Sequence, residues 1–145
     1  MHDTVVLVGC GNMGFAMLKG WLDSGLLKAH DVYVVEPTEV LRDRAAGAGV
    51  YAFENAESLP ANLKPRMVLV AVKPQVMTQV LPAYKRFAPA ATFVSVAAGI
   101  PVTLFESQLG HDAAVLRCMP NTPAAIGKGM LVTYKIGRAS CRERV

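Results

Sequence analysis

The stretch VVLVGCGNMG, residues 5–14, runs four apolar residues straight into a glycine-rich bend. Apolar residues on consecutive positions suit a strand covered on both faces, as in a parallel sheet. The three glycines then have separable jobs: Gly9 takes a tight turn, Gly11 leaves room for a pyrophosphate to approach the backbone, and Gly14 lets a helix start close against the strand. Free N–H groups at the start of that helix would face the phosphates. Glycine turns also end strands for purely structural reasons, so the surroundings decide. Here the pattern follows a strand, opens a helix and lies within a βαβ unit, which are the conditions the dinucleotide fingerprint demands. Cys10, inside the bend, reads as a small buried filler rather than a redox thiol.

Working outward, short β-branched runs recur at residues 31–35, 67–72, 92–97 and 114–119, each of strand length, with a further one at 130–135. Helical spacing fills the gaps. Met13, Ala16, Met17, Gly20, Trp21 and Ser24 predict a helix over 13–24, with Gly25 placed for its C-terminus. Further helices are expected over 38–48, over 75–87 entered through Pro74, and over 102–109. Alternating strands and helices argue for an α/β fold: a doubly wound, mostly parallel sheet of the Rossmann dinucleotide-binding type.

Such a sheet binds ligands at the carboxyl ends of its strands. Glu36 ends the second strand 22 positions after Gly14, close to the separation of about 20 expected of the acid that holds a ribose hydroxyl. That favours NAD. Thr38, Arg42 and Arg44 follow closely, however, and could receive a 2′-phosphate, so NAD and NADP both stay open; Glu36 could also serve simply as an acid near a helix N-terminus. Three later stretches end strands: AVKPQ (71–75), SVAAGI (95–100) and MPNTPA (119–124). Lys73 precedes a proline and is biased to extended geometry beside the cofactor, or is a solvated lysine before a helix. The small residues of the second stretch and the stiff Asn121-Thr122 turn of the third border the site or are plain turns.

The 145 residues fit one ordinary domain. The hydrophobic fraction is 52%, yet nothing approaches the roughly 18 uninterrupted apolar residues of a membrane helix, and the first apolar run lacks the basic lead of a signal peptide. A soluble, cytoplasmic protein is expected. Half of the net charge of +4 lies in the last ten residues, where Arg138, Arg142 and Arg144 outweigh Glu143; the rest is spread thinly, with no basic stripe and no interleaved aromatics to bind nucleic acid. Cys10, Cys118 and Cys141 match neither a disulfide framework nor a zinc site, and His2, His30 and His111 are scattered and expected at the surface. No metal site, acid/base pair or nucleophile triad emerges. The ending KIGRASCRERV breaks the apolar rhythm and reads as a non-native or disordered tail over 135–145, leaving residues 1–134 as the dinucleotide-binding domain.

GCGNMG, AVKPQ, SVAAGI and RCMPNTPA, in this order and spacing, resemble the N-terminal domain of pyrroline-5-carboxylate reductases up to about Tyr134. The resemblance implies that NAD(P)H delivers a hydride to the C=N carbon of 1-pyrroline-5-carboxylate, giving L-proline. By position it implies cofactor contacts at Val8, Gly9, Cys10, Gly11, Asn12, Met13 and Gly14 for the phosphates and at Glu36 for the adenosine ribose. It extends them to Asn55, to Ala71, Val72, Lys73 and Pro74, and to Val96, Ala97 and Ala98, with Asn55, Pro120, Asn121 and Thr122 near substrate. The family's C-terminal helical domain, which supplies most substrate contacts and builds the homo-oligomer, has no counterpart in this sequence. The catalytic residues are therefore unknown and the chain alone is expected to be inactive. Two other readings stand beside this one: another imine or hydroxyacid dehydrogenase with a similar first domain, and a nucleotide-binding module without turnover.

Overall fold

The computed structural model describes residues 4–25, 27–88, 90–96, 102–110 and 113–117. Six strands form one sheet, all pairings parallel: β1 (Val5–Val8), β2 (Val32–Val35), β3 (Tyr51–Phe53), β4 (Met67–Val70), β5 (Thr92–Ser95) and β6 (Ala114–Arg117). Their order is β3-β2-β1-β4-β5-β6, so the chain winds outward from β1 in one direction, crosses back, and winds outward in the other. This is the doubly wound arrangement expected from the alternation of strands and helices. In register, Val5 stands beside Val32 on one side and Met67 on the other.

Each central strand feeds two cores, because side chains alternate across the sheet. Val5 and Leu7 of β1, Val32 and Val34 of β2, and Met67 and Leu69 of β4 pack on the face covered by α1 (Asn12–Ser24) and α2 (Glu39–Gly47). Val6, Val8, Val68, Val70 and Phe93 pack on the opposite face, under the segment 77–88 and α4 (Val102–Leu109). Burial on both faces is why these strands read as unbroken apolar runs. α1 is held by Met17, Leu18 and Trp21, all fully buried, and ends at Gly25, whose left-handed φ of 78° lets its N–H reach the Leu22 carbonyl at 3.2 Å.

Two expectations need correction. The helix expected over 75–87 is instead a 3-10 turn at Pro74–Val76, a single α-helical turn α3 at Met77–Val80, and a 3-10 segment at Leu81–Phe87. Pro82 has no N–H to donate and its ring crowds the carbonyl four residues back, so an α-helix cannot continue through it. The buried residues Leu81, Tyr84 and Phe87 fall at steps of three, the repeat of a 3-10 helix, and so share one face. The second correction is β3, which the apolar runs did not show. It has three residues at the sheet edge with Tyr51 exposed, and its aromatic rings lie against Tyr33, Tyr51 tilted at a centroid distance of 5.0 Å and Phe53 stacked at 6.1 Å. Among the described residues, no helix is long and apolar enough to cross a membrane. The run expected at 130–135 and the tail 135–145 lie outside the described residues.

Candidate dinucleotide site

The winding reverses between β1 and β4, and a cleft of about 640 Å³ opens there at the carboxyl ends of the strands. It is lined by Val8, which ends β1, Val35, which ends β2, and Ala71, which follows β4. Open α/β sheets bind ligands at this position because diverging loops leave a crevice.

The glycine bend forms one wall. Gly9 has φ +92° and is buried; a Cβ there would stand 3.0 Å from the Ala71 carbonyl oxygen, so position 9 tolerates only glycine. A Cβ on Gly14 would overlap the Gly9 carbonyl oxygen, which fixes how closely α1 sits on the bend. Gly11 is the opposite case: a Cβ there meets nothing within 4 Å. It lines the cleft and is the helix N-cap, with extended backbone and no capping side chain. The first intrahelical bond runs from Phe15 N to Gly11 O at 2.9 Å, so the amides of Asn12, Met13 and Gly14 begin the helix without i−4 partners. The first turn of α1 carries no acidic residue of its own, so an anion at the positive end of the helix dipole would meet no like charge from that turn.

Glu36 closes the bend from β2. It is 7% exposed, and its carboxylate accepts from Cys10 N at 2.7 Å through Oε1 and from Thr38 N at 3.0 Å through Oε2. Arg44, from α2, holds the carbonyl side of the bend: its Nη2 donates to Cys10 O at 3.1 Å and Gly11 O at 3.2 Å, while the guanidinium lies 4.2 Å from the centre of the Phe15 ring. Arg42 Nη1 donates to Glu36 O at 3.0 Å and Pro37 O at 3.1 Å. The Cys10 side chain turns into the core and is fully buried. Burial, aided by the Glu36 charge and opposed by that of Arg44, pushes its thiol up to about 11. Cys10 is thus the inert filler expected, and its backbone groups are held by side chains.

The facing wall is made of side chains. Leu41, Val72, Val76 and Val80 present an apolar surface, with Glu54, Asn55 and Glu57 along the β3 side. Tyr84 lies at the back, 2% exposed, its phenol held above the usual range by burial and by the nearby Glu57 charge. Lys73 is exposed and extended (φ −66°, ψ 146°), as its proline neighbour demands, and caps the turn begun by Pro74. Asn55 caps the turn at Ala56–Ser58, its Oδ1 accepting from Ser58 N at 2.9 Å and Ser58 Oγ at 2.8 Å.

Of the residues singled out in the sequence, Val8, Gly9, Gly11, Glu36, Asn55, Ala71, Val72 and Lys73 line this single cleft. Cys10 and Gly14 are buried behind it, Asn12 and Met13 stand exposed at the start of α1, and Pro74 is exposed beside Lys73. Val96, 6% exposed, packs into the core on the α1 side. Ala97, Ala98, Pro120, Asn121 and Thr122 lie outside the described residues. His30 has a largely exposed side chain, while His2 and His111 are likewise outside. No group of three or more His, Cys, Asp or Glu residues among the described residues is placed to hold a metal. The apolar wall and the Arg44 grip escaped the sequence reading; Val76 and Val80, four apart just past a strand end, were the available signal for the first.

Residues 4–99 match the model of the family described as NADP oxidoreductase coenzyme F420-dependent. The chain belongs to this family. It is also 34% identical over 135 residues to the pyrroline-5-carboxylate reductase of Escherichia coli, covering 90% of this chain and 48% of that protein. Among solved structures, a pyrroline-5-carboxylate reductase from Coxiella burnetii superposes with a TM-score of 0.76 at 24% identity, over 87% of this chain and 47% of its own. A Plasmodium falciparum pyrroline carboxylate reductase with NADP bound superposes at 0.71 and 22% identity, over 86% and 45%. The chain spans about half the length of the curated relatives it matches. The two structural likenesses establish the oxidoreductase family's Rossmann-type fold for this member.

Proposed function

We propose that this chain is the dinucleotide-binding half of a pyrroline-5-carboxylate reductase. The observation that carries the reading is the cleft at the winding reversal: its open glycine wall lies in a chain 34% identical to the E. coli reductase over 90% of its own length. A dinucleotide fits the residues present. The space where a Gly11 side chain would stand is empty, the amides beginning α1 lack intrahelical partners, and the Glu36 carboxylate borders the same crevice.

In this reading NADH or NADPH, when bound, supplies the hydride that converts 1-pyrroline-5-carboxylate to L-proline. The bend and the amides of Asn12 and Met13 hold a diphosphate at the helix N-terminus. Glu36 accepts from the adenosine ribose. Leu41, Val76 and Val80 provide an apolar surface that excludes water from one side of the cleft. Alignment of donor and acceptor is the main service such a protein gives, because a protonated imine is already electrophilic. Residues up to about Tyr134 form the dinucleotide domain in this proposal. Ala97, Ala98, Pro120, Asn121 and Thr122 extend the site toward substrate, and a helical partner half builds the homo-oligomer. A cytoplasmic location belongs to the same proposal.

Titration of the chain with NADH and with NADPH, followed by nucleotide fluorescence, tests it. Saturable binding of at least one at or below the millimolar range is expected; binding of neither overturns the reading.

A further inference from the structure

Glu36 has a double engagement that a carboxylate reading only a ribose would not need. Its two oxygens already hold two backbone amides, Cys10 N–H at 2.7 Å and Thr38 N–H at 3.0 Å, with the side chain almost wholly buried. Each carboxylate oxygen keeps one lone pair, so the group can still accept from hydroxyls but has nothing to donate. A 2′-phosphate is itself an acceptor bearing nearly two negative charges. Against Glu36 it would meet like charge in a poorly solvated corner.

The carboxylate also cannot step aside freely. Rotating it out of the way strips the Cys10 amide of its partner beneath the glycine bend. The nearby cations offer little relief, since Arg42 is donating to the carbonyls of Glu36 and Pro37. Arg44 donates to those of Cys10 and Gly11 and lies on Phe15. Each would have to release backbone carbonyls to reach a phosphate.

We propose that Glu36 is at once the brace of the glycine bend and the group that rejects a 2′-phosphate, so that this chain takes NADH over NADPH. The proposal rests on the cleft being a dinucleotide site. It runs opposite to the coenzyme bound by the P. falciparum relative. It also separates two effects that are usually one. Where an acid only reads the ribose, neutralising it shifts preference toward NADP and leaves the bend alone. Here Glu36→Gln keeps an acceptor for the Cys10 amide and removes the charge, whereas Glu36→Ala removes both.

The test measures NADH and NADPH dissociation constants by nucleotide fluorescence on the whole chain and on Glu36→Gln, Glu36→Ala and Arg42→Ala. The expected result is NADH binding about tenfold or more tighter than NADPH in the unmodified chain. The ratio should fall about tenfold in Glu36→Gln, both coenzymes should weaken in Glu36→Ala, and the ratio should stay unchanged in Arg42→Ala. Equal or tighter NADPH binding by the unmodified chain overturns the proposal while leaving the dinucleotide reading intact, and this arm needs no variant to fold. An unmoved ratio in a folded Glu36→Gln also overturns it, as does a ratio that changes on removing Arg42. Binding of neither coenzyme overturns the dinucleotide reading and this proposal together.

Discussion

The glycine wall of the cleft and the wall that follows β4 border the same space with different materials. On the glycine side the surface is backbone, and its shape is fixed by contacts closer than a methyl group: Gly9 against Ala71, Gly14 against Gly9. On the other side Val76 and Val80 supply side chains, partly exposed, from a 3-10 turn and the single helical turn α3 rather than from a full helix, and Leu41 of α2 adds to the same apolar lining. A backbone surface admits no gradual change, because the smallest addition is a whole Cβ. A side-chain surface can be trimmed or refilled with modest effects. The first wall should therefore respond to substitution all-or-none, and the second by degrees.

The sharpest challenge to this contrast is Gly14→Ala. Its Cβ would overlap the Gly9 carbonyl oxygen, forcing α1 away from the bend, and we expect about 3 kcal/mol of destabilisation in urea unfolding. A stability near that of the unmodified chain would show that the wall yields. Gly11→Val separates shape from fold. With nothing within 4 Å and an ordinary extended backbone, the fold should melt within a few degrees of the original. Nucleotide affinity should nevertheless drop about a hundredfold, roughly 2.7 kcal/mol.

Cys10 gives a titration of the same wall. Its folded thiol is raised to about 11, against about 9 when exposed. The unfolded chain therefore loses its proton first, and stability present below pH 9 declines as pH climbs toward 11, by about 2 kcal/mol at the upper end. Urea midpoints across that interval measure the slope; the buried Tyr84 phenol, also held above its usual range, adds to it above pH 10, so Cys10→Ala should make the slope shallower and abolish the part between pH 9 and 10. The smallest effect is expected on the facing wall. Val76→Ser, at a residue 37% exposed, should change stability by less than about 0.5 kcal/mol. It should weaken nucleotide binding only about threefold, or roughly 0.6 kcal/mol. A hundredfold loss there would erase the distinction between the two walls.

Legibility in the sequence follows the same division. The bend, the strand before it and α1 were readable because their residues are local neighbours whose spacing states their geometry, and α4 falls on the expected residues 102–109. Glu36 was readable by its distance from Gly14, but not its bond to Cys10, which joins residues 26 positions apart. The Arg44 grip spans 34 and 33 positions, and no periodicity announces it. β3 escaped because three edge residues with one exposed tyrosine lack the apolar run of a covered strand. Pro82 was visible in the sequence, yet an otherwise helical apolar pattern around it masked the switch from a repeat near 3.6 to one of 3.

That stripe of Leu81, Tyr84 and Phe87 has an evolutionary and practical corollary. In a spiral of three residues per turn, a whole added triplet lengthens the segment without changing which side chains face the sheet, whereas a single added residue turns everything beyond it by about a third of a revolution. Length variation at this place should thus come in threes. An engineered one-residue insertion after Tyr84 should melt well below a three-residue insertion at the same point, even though it adds less chain.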